Sequence, residues 1–116
     1  MTAGIYNFKM DQGSDWDLNV VYKDGNGDPI NLTGYTAAMQ LRQNYNSETA
    51  DLTLTSSNGG ITITSLLGKL VLHATAIQTG LLSEGYYVYD LEIASGGVVT
   101  RIIQGQVTVN GEVTRV

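Results

Sequence analysis

Asp24, Asn26 and Asp28 lie within "KDGNGDPINLTGY" and place oxygen-bearing side chains at alternate positions, as the opening of a calcium-binding loop does. A calcium hand also needs glycine at the sixth loop position and a bidentate glutamate at the twelfth. Counted from Asp24, those positions hold Pro29 and Tyr35. Proline cannot make the sharp turn, and tyrosine brings no carboxylate. Asp24-Gly25-Asn26-Gly27 instead suits a hairpin loop, because these residues tolerate left-handed backbone conformations. Asp28-Pro29 then favours an extended exit. A turn is the reading the residues favour, with a weak cation site as the alternative.

His73 is the only histidine and there is no cysteine, so a zinc site or a thiol nucleophile is not expected. A Ser-His-Asp triad would require His73 inside the fold, yet its parity is opposite to that of Leu70 and Leu72. Asp15 and Asp17 are two apart, as are Asp90 and Glu92. Such pairs serve glycosidases, but on an exposed strand face they more often solvate the surface. The cluster Tyr86, Tyr87 and Tyr89 could form a sugar-stacking platform. Its setting, "LSEGYYVYDL", resembles a tyrosine corner, in which the hydroxyl bonds the backbone just upstream. Tyr87 is expected in that role, and Tyr86, on the other face, as a contact for a partner.

The elements that carry these residues are strands. In "DWDLNVVY", Trp16, Leu18, Val20 and Tyr22 share one face. Tyr35, Ala37, Met39 and Leu41 alternate in the same way, as do Tyr87, Tyr89, Leu91 and Ile93. Period two with one wet face predicts antiparallel sheets. Shorter runs at Leu52–Leu54, Ile61–Ile63, Leu70–Leu72 and the closing "VVTRIIQGQVTVN" bring the total to about eight short strands. Trp16, Leu18, Met39, Leu41, Tyr89 and Leu91 are expected in the core. "SGG" and "SNGG" are expected to close tight hairpins. Gly105 is expected to mark a bulge or a bend where a strand changes partner. One helical turn is predicted within residues 75–85, capped by Thr75.

The chain has 116 residues, of which 42% are apolar and only 15% charged, against about 25% in an average globular protein. This fits one domain over residues 1–116 with a surface of Thr, Asn, Gln, Ser and Gly. A net charge of −5 without a Lys/Arg cluster argues against direct nucleic-acid binding. No apolar run reaches the roughly 18 residues of a membrane span. "MTAGIYNFKM" carries no basic segment followed by an apolar stretch, so no signal peptide is expected.

Several stretches together resemble a known family: "DPINLTGY" with "MQLR", "GYYVYDL", and "GQVTV" near the end. The chain resembles small tailed-bacteriophage virion proteins, similar to the immunoglobulin-like N-terminal domain of phage baseplate upper proteins. The resemblance implies an all-β, antiparallel two-sheet, immunoglobulin-like β-sandwich. It also implies a non-enzymatic structural role connecting or anchoring tail, neck or baseplate parts. Expected partners are other phage structural proteins and copies of the chain in a symmetric ring, without cofactor, nucleic acid or membrane. The expected location is the virion, after synthesis in the host cytoplasm. Larger members carry a fibre or receptor-binding segment that is not found after "EVTRV", so a connecting role is expected. The terminal segments "IYNFKM" and "EVTRV" look strand-like and could add to a neighbour's sheet. The partner-contact candidates are therefore Tyr6, Phe8, Asp24, Asn26, Asp28, Tyr86, Val113 and Arg115. A stand-alone carbohydrate- or cation-binding adhesion sandwich is the alternative.

Overall fold

The structure is a computed structural model, and it describes residues 3–114. The alternating runs form nine strands: β1 (Gly4–Ile5), β2 (Phe8–Asp11), β3 (Trp16–Val21), β4 (Thr36–Arg42), β5 (Leu52–Thr55), β6 (Ile61–Thr64), β7 (Lys69–Ala74), β8 (Gly85–Ser95) and β9 (Val98–Asn110). A 3-10 turn covers Ser65–Leu67, and a helix, α1, single among the described residues, covers Ala76–Gly80. One sheet has the order β1-β9-β8-β4-β5, with β2 following β1 along the same edge of β9. The other has the order β3-β7-β6. The result is the expected all-β sandwich of immunoglobulin-like kind, with nine strands among the described residues in place of about eight.

Two features differ from a purely antiparallel plan of short strands. β1 and β2 run parallel to β9, which makes the larger sheet mixed. β8 and β9 are 11 and 13 residues long. They are joined by Gly96-Gly97 at φ of 58° and 82°, with Ser95 paired to Val98. Positive φ at both central residues matches the right-handed strand twist, so "SGG" closes the hairpin as expected. "SNGG" does not. β5 pairs with β4 and β6 with β7, so this turn carries the chain from one sheet to the other. Periodicity finds strands but not their partners, which is why the expected hairpin is in fact a sheet crossing.

The core is one continuous cluster. Met39 and Leu41 on β4, Leu54 on β5, Leu70 and Leu72 on β7, and Leu91 on β8 are essentially inaccessible. Trp16 and Leu18 were expected there and are only half-buried, as are Val20 and Tyr22. β3 pairs with β7 alone and forms the outer edge of its sheet, so its inward side chains are covered from one side only.

Gly105 marks no bulge in β9. The register shift lies between Leu91 and Glu92, whose partners are Ile103 and Arg101. Ile102 is the extra residue, and it is buried while Ile103 is half-buried against the core. The bulge thus turns two successive isoleucines inward. Gly105 sits instead opposite the break between β1 and β2. A Cβ there would collide with the Tyr6 carbonyl and approach Asn7 Oδ1 to 2.7 Å. Absence of a side chain lets the N-terminal strand bend across β9. Asn7 Oδ1 uses that closeness to accept a hydrogen bond from the Gln106 amide at 2.9 Å.

Leu41 is fully enclosed. Leu41→Ala is therefore expected to cost 2–5 kcal/mol, the range for large-to-small core changes. Trp16→Ala is expected to cost less than the ~3–5 kcal/mol of a fully buried aromatic, because the side chain is only partly buried at the edge of its sheet. Urea melts of both variants check this. Equal losses would show that Trp16 is held more deeply than its position implies.

Candidate functional site

The stretch Lys23–Pro29 forms a closed turn. Lys23 and Pro29 bridge in antiparallel fashion, and the Asp24 amide donates to the Asp28 carbonyl at 2.8 Å. Asp24 Oδ1 accepts from the amides of Asn26 at 2.9 Å and Asp28 at 3.1 Å. One carboxylate oxygen therefore already organises the loop from inside. Asn31 repeats the device two turns on, accepting from Thr33 N and Thr33 Oγ1. These are local side-chain-to-backbone turns of the kind Asx residues form.

The opposite end of the sandwich is tied together by helix α1. Thr75 accepts from Gln78 N, while Gln78 Oε1 accepts from Thr75 N, giving a full capping box. Asp15 Oδ1 takes the Ala76 amide at 2.7 Å. Thr79, fully buried, accepts from Gly13 N at 3.1 Å and donates to Ser14 O at 2.8 Å. Gln12 donates to Leu82 O and accepts from Glu112 N, which brings residues 111–112 into the same knot. Outside this knot, Ile77 and Leu81 are 80% and 81% exposed, four residues apart on one face.

Tyr87 is the expected corner residue. Its hydroxyl donates to the Ser83 carbonyl at 2.7 Å. Burial pushes its pKa up, the Asp51 charge adds to this, and the Ser83 bond opposes it. Tyr89 lies one pleat on and donates to the Tyr6 carbonyl at 2.6 Å. Burial, with a lesser contribution from Tyr6, pushes the Tyr89 phenol up to about 12.

The partner-contact candidates fall in separate places. Tyr6 and Phe8 lie on the outer edge of the larger sheet. Tyr6 is 47% exposed, but Phe8 is half-buried. Its ring stacks on Trp16 at 4.8 Å and meets Tyr89 edge-on at 4.8 Å, so much of Phe8 is engaged inside the fold. Asp24, Asn26 and Asp28 are exposed in the turn beyond the end of β3. Tyr86, 79% exposed, stands at the start of β8, at the other end of the sandwich. Val113 is 93% exposed and follows β9 in irregular backbone, so "EVTRV" up to Thr114 is not the expected strand. Arg115 lies outside the described residues.

Two arrangements are not evident from the sequence. Asp17 and His73 are direct cross-strand neighbours, and their Oδ1 and Nδ1 atoms lie 2.5 Å apart. Alternation puts both on the outer face, but only the register makes them a pair. On the outer face of the larger sheet, Gln40, Asp90 and Gln104 form one row across β4, β8 and β9. They line a groove with Arg42, Arg101 and Tyr45. The outward parity of Gln40 and Asp90 was the readable signal. The bulge at Ile102, which sets the alignment of Gln104, was not.

No protein-family model and no curated protein matches this chain. Among solved structures, it is similar to an endo-β-1,4-mannanase from Thermotoga petrophila, with a TM-score of 0.54 and 11% identity. The match covers 96% of this chain and 18% of the mannanase, so the chain spans under a fifth of that protein. It is also similar to CopC from Methylosinus trichosporium OB3b, with a TM-score of 0.49, 12% identity, and coverage of 100% and 91%. At such identities the mannanase likeness speaks of the β-sandwich fold alone.

Two expected outcomes follow from this geometry. Asp24→Ala removes the acceptor of two amides in an exposed turn and should cost about 1 kcal/mol, read as a lower urea midpoint. An unchanged midpoint would show that the Lys23–Pro29 bridge holds the turn unaided. The two tyrosines give a pH dependence. Their folded pKa values are raised above the ordinary value near 10, so the folded state favours the neutral phenol. For both, the associated stability is complete below about pH 10; for Tyr89 it is lost as pH rises from about 10 to about 12. Tyr89→Phe should be less stable at neutral pH yet lose less between those limits. Unfolding free energies measured across that range, with parallel curves for both proteins, would refute the assignment.

Proposed function

We propose that the chain is a non-enzymatic structural component of a tailed-bacteriophage particle, connecting or anchoring tail, neck or baseplate parts. The observation that carries this reading is the distribution of apolar surface. The charge-poor sandwich leaves large apolar side chains outside at its ends: Ile77 on α1 and Leu81 at its C-cap, Tyr86 and Val113 nearby in topology, and Leu66 at 77% exposure in the 3-10 turn. Such groups can pack against a neighbour, as at the cores of protein interfaces.

Strand edges add a second mode of contact. β1 and β2 pair with β9 on one side only, which leaves their other edge open. An open edge accepts a strand from another chain through main-chain hydrogen bonds. The resemblance of "DPINLTGY", "GYYVYDL" and "GQVTV" to phage virion proteins points the same way. Contacts in a ring or adaptor are accordingly assigned to the N-terminal edge, to the Asp24–Asp28 turn and to the α1 end.

Cross-linking of purified phage particles, followed by mass spectrometry, tests this. The chain should be found in the particle, with links from Lys9 on β2 and Lys23 beside the turn to neighbouring subunits. Its absence from the particle overturns the assembly role. Links confined to the β7 face around His73 overturn the assigned contact surfaces.

A further inference from the structure

The outer face of the six-stranded sheet is not needed to close the core, yet its side chains are ordered as a binding surface would be. Gln40 on β4, Asp90 on β8 and Gln104 on β9 stand side by side. They are spaced by the ~4.8 Å between neighbouring strands. Each is held by an arginine. Arg42 donates from Nη2 to Gln40 Oε1 at 2.8 Å. Arg101 donates to Gln104 Oε1 at 3.1 Å and places Nε 3.2 Å from Asp90 Oδ2. These contacts occupy the amide oxygens. They leave the NH2 groups of both glutamines and Asp90 Oδ1 without a partner among the described residues, and all three residues line one groove of 270 Å³.

Tyr45 completes the arrangement. Residues 44–47 form a turn in which Asn46 N donates to Asn44 Oδ1 and Ser47 N to Asn44 O. Arg42 Nη1 donates to Ser47 O at 2.9 Å, so the residue that orients Gln40 also holds this turn against the sheet. At the tip, Tyr45 is 84% exposed and lines the groove. Among the described residues, no hydrogen bond or ring contact engages this side chain. A large aromatic held in water on an anchored turn is a stacking surface in waiting.

We propose that this groove binds a neutral glycan, with Tyr45 stacking on the C–H face of one pyranose ring. The two glutamine amides donate to sugar oxygens, and the Asp90 and Glu92 carboxylates accept from vicinal hydroxyls. Neutrality follows from the charges. Among the lining residues Arg42 and Arg101 balance Asp90 and Glu92, so the groove carries no net charge to attract an ionic sugar. The volume is just below the ~300 Å³ at which closed small-molecule sites begin. It therefore suits one residue of an oligosaccharide lying across the strands. The site lies on a sheet face rather than at the ends, and Gln104, paired with Ile5 on β1, is its member nearest the N-terminal edge.

The test is nuclear magnetic resonance of the whole 15N-labelled chain, titrated with hexasaccharides of β-1,4-glucan, β-1,3-glucan and α-1,4-glucan. At least one should shift the side-chain NH2 signals of Gln40 and Gln104 together with the Tyr45 amide. Tyr45→Ala should weaken that binding about tenfold, the loss expected for one stacking contact, and Tyr45→Trp should retain it. Thr62→Ala, on the outer face of the other sheet, should change nothing. The same spectra report folding, and an exposed Tyr45 should be removable without unfolding. The proposal fails if no hexasaccharide moves these signals, if the shifts lie elsewhere, or if Tyr45→Ala binds as tightly as the parent.

Discussion

The sandwich depends on how its N-terminal strand crosses from one sheet to the other. β2 is an edge of the larger sheet and β3 an edge of the smaller, and only residues 12–15 separate them. Two sheets packed face to face expose their core along the open sides unless something seals them. Here the seal is a row of rings: Tyr6 on Phe8 at 6.0 Å, Phe8 on Trp16 at 4.8 Å, and Tyr89 edge-on to Phe8. Edge-to-face and offset pairs add directional preference to plain burial. The Tyr89 hydroxyl then fixes the carbonyl of Tyr6, the residue at which the strand bends past Gly105. A side chain at position 105 would push that carbonyl away. It would loosen the stack and uncover β3.

The same economy governs the far end. No buried side-chain nitrogen or oxygen among the described residues lacks a hydrogen-bond partner. Thr79, the only buried polar side chain among them, is satisfied by the turn that links β2 to β3. The N-terminal crossing is thus held twice, by aromatic rings at its side and by the α1 knot at its end. An unpaired buried hydroxyl would cost on the order of 1–3 kcal/mol, so the one-turn helix is tied to the crossing rather than free to fray. Glu112 fills the space beside Gly13, and the segment after β9 is drawn into the same cluster.

Much of this was readable in the residues, but unevenly. Alternation identified the strands and their faces, because a period of two is imposed by one buried side. The turn at Asp24–Pro29, the Thr75 cap and the Tyr87 corner were readable because each rests on a local interaction. Pairing was not. The sheet crossing at "SNGG", the parallel placement of β1 and β2, and the half-burial of Trp16 all depend on which strands are neighbours, and no short-range pattern encodes that. The row of Gln40, Asp90 and Gln104 was hidden for the same reason. Its members come from strands distant in sequence, and a single extra residue at Ile102 decides which side chains align.

The division of the surface follows from these constraints. A sheet with one buried face must present regular rows of side chains on the other, spaced by the backbone itself. Such rows make a rigid platform for directional polar contacts, provided their side chains are locked, as Arg42 and Arg101 lock them here. The ends of a sandwich are turns and caps, set by local chemistry and free to carry apolar groups such as Leu66, Ile77 and Leu81. Few charges are available to the chain, and two of its arginines are committed to the groove. The ends carry such apolar groups beside exposed acids such as Asp15, Asp24 and Asp28, while the polar face remains open to solvent. The two kinds of surface therefore need not compete. One fold can be joined at its ends and still present a sheet face outward.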